Sequence, residues 1–89
     1  MATLSIFYGI IIQMRPELNE RHHGAHIHAK HAGKEASYNV ISGERIAGEL
    51  EREDEVKVLA WMAIHKEDLM ANWELLNKDG TFCKIEPLH

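Results

Sequence analysis

The chain has 89 residues, of which 45% are hydrophobic and 27% are charged, and its formal net charge is −4 with neutral histidines. This length allows one hydrophobic core, so we expect a single domain over residues 1–89, and the composition excludes the disordered class. The negative charge gives no support for nucleic-acid binding, and no apolar stretch approaches the ~20 residues needed to cross a bilayer, so we expect no membrane insertion.

Cysteine content bears on the cellular compartment. Cys83 is the only cysteine, so no disulfide can form within the chain. The first residues show no basic leader followed by a cleavage site of the signal-peptide type. We therefore expect a cytoplasmic protein. No base is evident near Cys83 in the sequence, so we expect a packed apolar residue and not a nucleophile.

The first predicted element is a strand over residues 4–14, which are rich in β-branched and aromatic side chains and are followed by Arg15-Pro16. Its apolar run is too continuous for a strand with one solvated face. We therefore expect a central strand with both faces covered and a bend at Gly9. Residues 17–24 are polar and predict a loop.

A hairpin is predicted next along the chain. Residues 25–31 alternate in the β manner, residues 32–34 form a turn, and residues 35–41 alternate again. Residues 45–50 predict one more short strand, and residues 81–85 predict a last edge strand.

The apolar period changes to that of a helix over residues 53–77. The acidic run over residues 49–55 is expected to be a solvated helix entry, because acidic groups favour a helix N-terminus. A helix of this length would measure about 37 Å, which is long for so small a domain. Since Lys66 falls inside the apolar arc, we expect a kink or break near His65, and Gly80 is expected to end the helix.

The predicted fold class is α+β. It is a three- to four-stranded antiparallel meander packed against one long or kinked C-terminal helix. The helical side chains expected at this contact are Trp61, Met62, Leu69 and Trp73. An 89-residue domain with exposed strand edges gains buried area by pairing, so we also expect a homodimer.

Histidines provide the strongest chemical signal, because five of the seven lie close together, within the first strand of the hairpin and just before it. In a strand, His26 and His28 project from one face with Cα atoms about 6.5 to 7 Å apart, a spacing from which two imidazoles can bind one metal ion. His22 or His23 in the preceding loop would supply a third ligand, and His65 on the helix a fourth. The expected ion is divalent: zinc, nickel or iron.

Other interpretations of these histidines stay open. The cluster can bind phosphate or carboxylate with Arg21 and Lys30 close by, or it can make ordinary hydrogen bonds with no ligand. His31 should face away from the proposed pair, so we leave it outside the site. His65 lies among apolar residues, where a core role competes with a ligand role. Asp68 is within reach on the helix and would fix the tautomer of His65.

Four segments carry a resemblance to a known family. They are Ile6-Phe7-Tyr8-Gly9-Ile10-Ile11-Ile12, His26-Ile27-His28, Trp61-x-x-x-His65-x-x-Asp68-Leu69-x-x-Asn72-Trp73 and Lys84-Ile85-Glu86-Pro87-Leu88. With these segments the chain resembles the small bacterial proteins of the domain of unknown function 4160 family. The family carries no established activity, and the resemblance implies that His26, His28 and His65 are important. Similar proteins are often encoded beside another small protein and are sometimes labelled as toxin-antitoxin components, which implies a protein partner.

The leading hypothesis is a small cytoplasmic binding or regulatory protein, one component of a toxin-antitoxin-like two-protein module, with a histidine-rich ligand or partner surface. The alternative is a divalent-metal-dependent hydrolase or nuclease, in which the histidine cluster holds the ion and His65 with Asp68 transfers protons. A third hypothesis is a structural adaptor without a ligand.

Overall fold

The computed structural model of the chain describes residues 2–15 and 24–89 and has an α+β fold. Its elements are β1 (Ala2–Phe7), β2 (Ile10–Met14), β3 (His26–His31), β4 (Lys34–Asn39), β5 (Arg45–Gly48), α1 (Arg52–Ile64) and α2 (Lys66–Asp79). The strands form one antiparallel sheet in the order β1-β2-β3-β4-β5. The α+β class is confirmed, whereas the sheet has five strands and not the predicted three or four.

A tight turn divides the predicted first strand into β1 and β2. Tyr8 and Gly9 have φ angles of 52° and 80°, the positive values that a type I′ hairpin turn requires. The two strands then pair antiparallel, with Phe7 opposite Ile10. The chain therefore reverses at Gly9 where we expected a bend. A tyrosine at positive φ is an uncommon turn residue, which is why no turn was predicted here and the extra strand was missed.

Side-chain alternation gives the sheet an apolar inner face and a polar outer face. Buried inner residues of the three central strands are Ile10, Ile12, Met14, Ile27, Ala29, Ala36 and Tyr38. On the outer face, Gln13, His28 and Ser37 lie opposite one another across β2, β3 and β4. The predicted hairpin of β3 and β4 is present. In its register, polar residues of the two strands lie opposite one another on the outer face.

Two helices cover the inner face, where we predicted one long or kinked helix. Their buried apolar residues are Val58, Trp61, Met62, Leu69 and Leu76. The Trp61 ring lies 5.3 Å from the Phe7 ring, whereas Trp73 is only partly buried at the margin of the core. The helices meet at His65, the residue near which we expected a kink or break, and Gly80 ends α2 with a φ of 80°. Neither helix is long and apolar enough to span a membrane.

Residues 81–89 run beside the core without adding a strand to the sheet. The backbone N–H of Ile85 donates to the carbonyl of Leu4 at 2.8 Å. The indole N–H of Trp61 donates to the carbonyl of Glu86, also at 2.8 Å. The prediction of an edge strand over residues 81–85 is therefore wrong. The segment is held by one backbone hydrogen bond and one side-chain hydrogen bond, and not by the repeated backbone hydrogen bonds of a strand.

Candidate functional site

His26 and His28 lie side by side on the outer face of β3. Their ring centroids are 5.3 Å apart, and the ring planes meet at 75°. The ring of His26 also lies 5.1 Å from the ring of Trp73 on α2. The structure thus brings together the two strand histidines that the alternation placed on one face, and it adds an aromatic neighbour from the helix.

Both imidazoles contact the protein through Nδ1. The Nδ1 atom of His26 lies 3.0 Å from the carbonyl oxygen of Gly24. The Nδ1 atom of His28 lies 3.2 Å from Ser37 Oγ and 3.4 Å from Glu35 Oε2. Because carbonyl and carboxylate oxygens only accept hydrogen bonds, these contacts favour a proton on Nδ1, and in the neutral form of either ring the lone pair is then on Nε2.

Glu35, near the start of β4, connects His28 to two basic side chains. Its carboxylate oxygens lie 3.5 Å from Arg15 Nη2 and 4.0 Å from Lys30 Nζ. The side chain of His28 is only 13% exposed. Burial, reinforced by the charges of Arg15 and His26, lowers the pKa of His28 below its ordinary value of 6.5, and Glu35 opposes this shift. His28 is therefore a neutral imidazole at pH 7 that keeps its Nδ1 proton directed at Glu35.

We define the outer-face cluster as Arg15, His26, His28, Glu35 and Ser37. We predicted the two imidazoles but did not predict the other three members. The signal that would have found Glu35 and Ser37 is the hairpin register, which pairs them with Lys30 and His28. Arg15 directly follows β2, and only the position of that strand beside β3 brings it close to Glu35.

His22 and His23, two of the predicted metal ligands, lie outside the described residues. Among the residues that the structure does describe, no group of three or more histidine, cysteine, aspartate or glutamate side chains could hold a metal ion. His65 is therefore not brought together with His26 and His28 into such a group. The strand histidines offer two Nε2 atoms, which fits half of a tetrahedral zinc-type ligand set.

His65 lies at the junction of the two helices, with Asp68 as its neighbour. Its Nδ1 atom lies 3.3 Å from Asp68 Oδ2, and its ring centroid is 5.4 Å from that of Trp61. The predicted contact between His65 and Asp68 is present. Both side chains border a shallow cavity of about 330 Å³ against residues 83–86. This position is consistent with a structural role for the imidazole at the end of α1.

Asn72 is a structural residue of α2 that we did not predict. It is 3% exposed, its Nδ2 group donates to the Asp68 carbonyl at 3.0 Å, and its Oδ1 accepts from the Cys83 backbone N–H at 2.6 Å. Cys83 itself is exposed, which corrects our expectation of a packed residue. A polar residue on a helix normally indicates the solvated face, so the burial of Asn72 had no signal in the helical period.

His31, which we left outside the site, makes a short contact with α1. Its Nδ1 atom lies 2.7 Å from Asp54 Oδ2, and the side chain of Asp54 is only 9% exposed. The prediction that His31 faces away from His26 and His28 is confirmed by this contact on the helix side of the sheet. The expectation of a solvated helix entry is wrong for Asp54, whose partner lies 23 positions earlier in the chain.

Comparison with known proteins gives a match to a protein family. A family model described as Domain of unknown function (DUF4160) matches residues 9–74. This span begins at the first hairpin turn and includes the outer-face cluster, His31, Asp54, His65 and Asn72. Searches of curated proteins and of solved structures found no match. Because the family model covers most of the 89 residues, the chain belongs to the DUF4160 family.

Proposed function

We propose that this chain is a small binding protein that acts through a protein partner, as one component of a two-protein module. We further propose that the outer-face cluster is the surface that binds the partner. The observation that supports this assignment is that Glu35 contacts both Arg15 and His28 on the sheet face opposite the core. His28 and Glu35 lie on the paired strands β3 and β4, and Arg15 directly follows β2, so the sheet holds the three groups close together.

Exposure within the cluster divides it into contact groups and supporting groups. Arg15 and Glu35 each keep 43% of their side chain exposed, whereas His28 keeps 13%. A partner can therefore bind the guanidinium and the carboxylate, while His28 holds the carboxylate in place from below. Arg15, and Trp73 beside His26, are also of the residue types enriched at interface hot spots. A mixed acid and base surface of this kind favours specificity for one partner.

The partner to test is the protein encoded next to this chain, because the resemblance implies a partner encoded beside it, as is often so for similar proteins. We would co-express the two, purify the complex and measure the affinity by isothermal titration calorimetry. Arg15→Ala and Glu35→Gln should each weaken binding about tenfold or more if they lie at the interface. The matched control is Glu74→Gln, an exposed glutamate on α2, which should leave the affinity unchanged.

Two results would contradict this proposal. A complex that forms with unchanged affinity in both cluster variants would place the interface elsewhere. Failure of the two purified proteins to bind at all would remove the two-protein module. Circular dichroism of each variant would establish that it is folded, so that weaker binding cannot be attributed to unfolding of the variant.

We propose a divalent-metal-dependent hydrolase or nuclease as the second candidate function. The specific observation in its favour is that both His26 and His28 use Nδ1 within the protein, the arrangement that orients metal-binding histidines and presents Nε2 to the ion. His22 or His23 would complete the site with zinc, nickel or iron. Such an ion would supply an activated water for hydrolysis.

Elemental analysis of untagged protein purified without chelator would test the second candidate. About one equivalent of metal, lost in a His26→Ala, His28→Ala double variant and kept in His89→Ala, would support a site at the strand histidines. His89 is an exposed histidine outside the cluster and is therefore the matched control. Metal-free protein whose melting temperature does not respond to added divalent ions would rule the candidate out.

A further inference from the structure

Charge is divided unevenly between the sheet and the helices. In the part of the chain that the structure describes, the five strands contain one acidic residue, Glu35. The two helices together contain seven acidic and four basic residues. Arg15 and Lys30 lie beside Glu35 on the outer face of the sheet. The net charge of −4 therefore does not describe this face, where positive charge is in local excess.

Glu35 is shared loosely between the two cations. Its carboxylate oxygens lie 3.5 Å from Arg15 Nη2 and 4.0 Å from Lys30 Nζ, both longer than the ~2.7 to 2.9 Å of a charge-assisted hydrogen bond. Lys34 and Glu51 make such a bond at 2.9 Å. Among the described residues, no other carboxylate pairs with Arg15 or Lys30, and Arg15 Nε is buried without a hydrogen-bond partner. The two cations therefore keep donors that Glu35 does not satisfy.

Apolar side chains lie next to Lys30 on the same face. Ile11 is opposite Lys30 in the pairing of β2 with β3, and Ile6 is opposite Ile11 in the pairing of β1 with β2. The side chain of Ile6 is well exposed, at 57%. We define the basic surface as Arg15, Lys30, Ile6 and Ile11. It presents two cations beside an apolar patch.

We propose that the basic surface binds an acidic segment of the protein partner. This inference rests on the proposed function, because it names the chemistry that the partner brings to this face of the sheet. A carboxylate of the partner binds beside Arg15 and Lys30, and a neighbouring apolar side chain packs on Ile6 and Ile11. The planar guanidinium of Arg15 is suited to bind a carboxylate with two hydrogen bonds. Opposite charges on two proteins also speed their encounter and disfavour wrong partners.

Nucleic acid is the competing ligand for a positive surface. A nucleic-acid backbone is bound by a track of several positive side chains. On the described part of the outer face, Arg15 and Lys30 share a short site that also contains the carboxylate of Glu35. The acidic helices add a field that repels phosphate. One acidic segment of a protein therefore fits this surface better than a nucleic acid.

The salt dependence of the complex would test the proposal. We would purify the full chain and the protein encoded beside it and measure their affinity by isothermal titration calorimetry at about 50 mM and about 500 mM sodium chloride, because salt screens exposed charges. The dissociation constant should rise about fivefold or more over this range. Lys30→Glu should weaken the complex about tenfold or more at the lower salt concentration, because it places like charges together.

The matched control is Lys78→Glu, the same change of charge at an exposed position of α2. This variant should bind the partner like the parent chain. Circular dichroism of both variants would establish that they are folded.

A charge exchange would identify the acidic residue of the partner. Each aspartate or glutamate of the partner would be changed to lysine in turn and tested with the parent chain and with the Lys30→Glu chain. One of these changes should weaken the complex with the parent chain and restore most of the affinity for the Lys30→Glu chain, because contacting charges are coupled.

Four outcomes would overturn the proposal. Absence of any complex would remove the proposed function as well. If Arg15→Ala and Glu35→Gln weaken the complex but neither salt nor Lys30→Glu does, the interface is correct and the partner's contact is not acidic. If Lys78→Glu weakens the complex as much as Lys30→Glu, overall charge determines binding. If no change in the partner restores the Lys30→Glu complex, no acidic side chain binds at Lys30.

A separate measurement would decide against nucleic acid. Fluorescence anisotropy of a fluorescein-labelled single-stranded oligonucleotide should show no binding that depends on Lys30. An oligonucleotide that binds the parent chain, is displaced by the partner and is not bound by the Lys30→Glu chain would assign the basic surface to nucleic acid and overturn the proposal.

Discussion

His31 Nδ1 and Asp54 Oδ2 lie 2.7 Å apart and join the end of β3 to the first turn of α1. The turn is held to the β3–β4 hairpin by two more side-chain contacts, Lys34 to Glu51 at 2.9 Å and Tyr38 to Glu55 at 2.8 Å. The helix has no side-chain cap at its N-terminus. Contacts with the hairpin therefore position α1, and the least exposed carboxylate among them is that of Asp54.

His31→Ala should lower the free energy of unfolding by about 1 to 3 kcal/mol, because it leaves the carboxylate of Asp54 buried without its hydrogen bond. The Asp54→Ala, His31→Ala double variant should lose less unfolding free energy than the sum of the losses in the two single variants. Urea unfolding of the parent chain, the two single variants and the double variant would measure this coupling. Additive single effects would show that the pair contributes no stability of its own.

Gly9→Ala should destabilise the protein more than Gly33→Ala. Both glycines have a φ of 80°, so both changes carry the cost of about 1 to 2 kcal/mol for an L-residue in the left-handed region. A Cβ atom at Gly9 would also come within 2.8 Å of His31 Nε2, whereas a Cβ atom at Gly33 would meet no atom within 4 Å. The additional loss at Gly9 is expected to be about 1 to 3 kcal/mol, because the ring must move away from Asp54. Equal urea-unfolding midpoints for the Gly9→Ala and Gly33→Ala variants would contradict this explanation.

His28 should make stability depend on pH below neutrality. Its pKa is lowered in the folded state by burial, Arg15 and His26, so the unfolded chain binds a proton first as the pH falls through 6.5. The stability that neutral His28 contributes is therefore fully present above this pH and is lost as the pH falls towards the lowered folded-state pKa. His28→Gln should flatten the change in unfolding free energy between about pH 7.5 and about pH 5.5. Parallel curves for the variant and the parent chain would show that His28 does not titrate as described.

Asn72→Ala should detach the segment around Cys83 from α2. The change removes the acceptor for the Cys83 N–H and leaves a cavity where the buried side chain, 3% exposed, had been. We expect the free energy of unfolding to fall by about 1 to 3 kcal/mol. Hydrogen exchange at the Cys83 amide would report the lost bond directly and should accelerate. Asn77→Ala is the control on the same helix, where the side chain is exposed. Unchanged exchange at Cys83 would mean that another group protects the amide.

Local patterns predicted those parts of the fold that depend on neighbouring residues. The alternation of residues 25–31 and 35–41 predicted the β3–β4 hairpin and the common face of His26 and His28. The helical period over residues 53–77 predicted Trp61, Met62 and Leu69, which are buried, and Trp73, which is only partly buried. The polar Lys66 within this period marked the break. These patterns are periodic and short-range, so a single sequence is sufficient to show them.

Contacts between distant segments could not be predicted in this way. The outer-face cluster needs β2 beside β3, and the contact of His31 with Asp54 needs α1 below the hairpin. Asp54 appeared to be one more charge in a solvated acidic run. The turn at Tyr8-Gly9 was hidden in an apolar stretch, because tyrosine at positive φ has no usual turn signature.

The hydrogen bond from Ile85 to Leu4 has a consequence for aggregation. β1 is an outer strand of the sheet, and a bare outer strand is a template for pairing with other chains. Ile85 occupies one of the backbone acceptors along that edge, and the Trp61 indole holds the adjacent Glu86 in position. Residues 85 and 86 thus cover part of this outer strand, and proteolytic removal of the segment is expected to favour pairing of β1 with other chains.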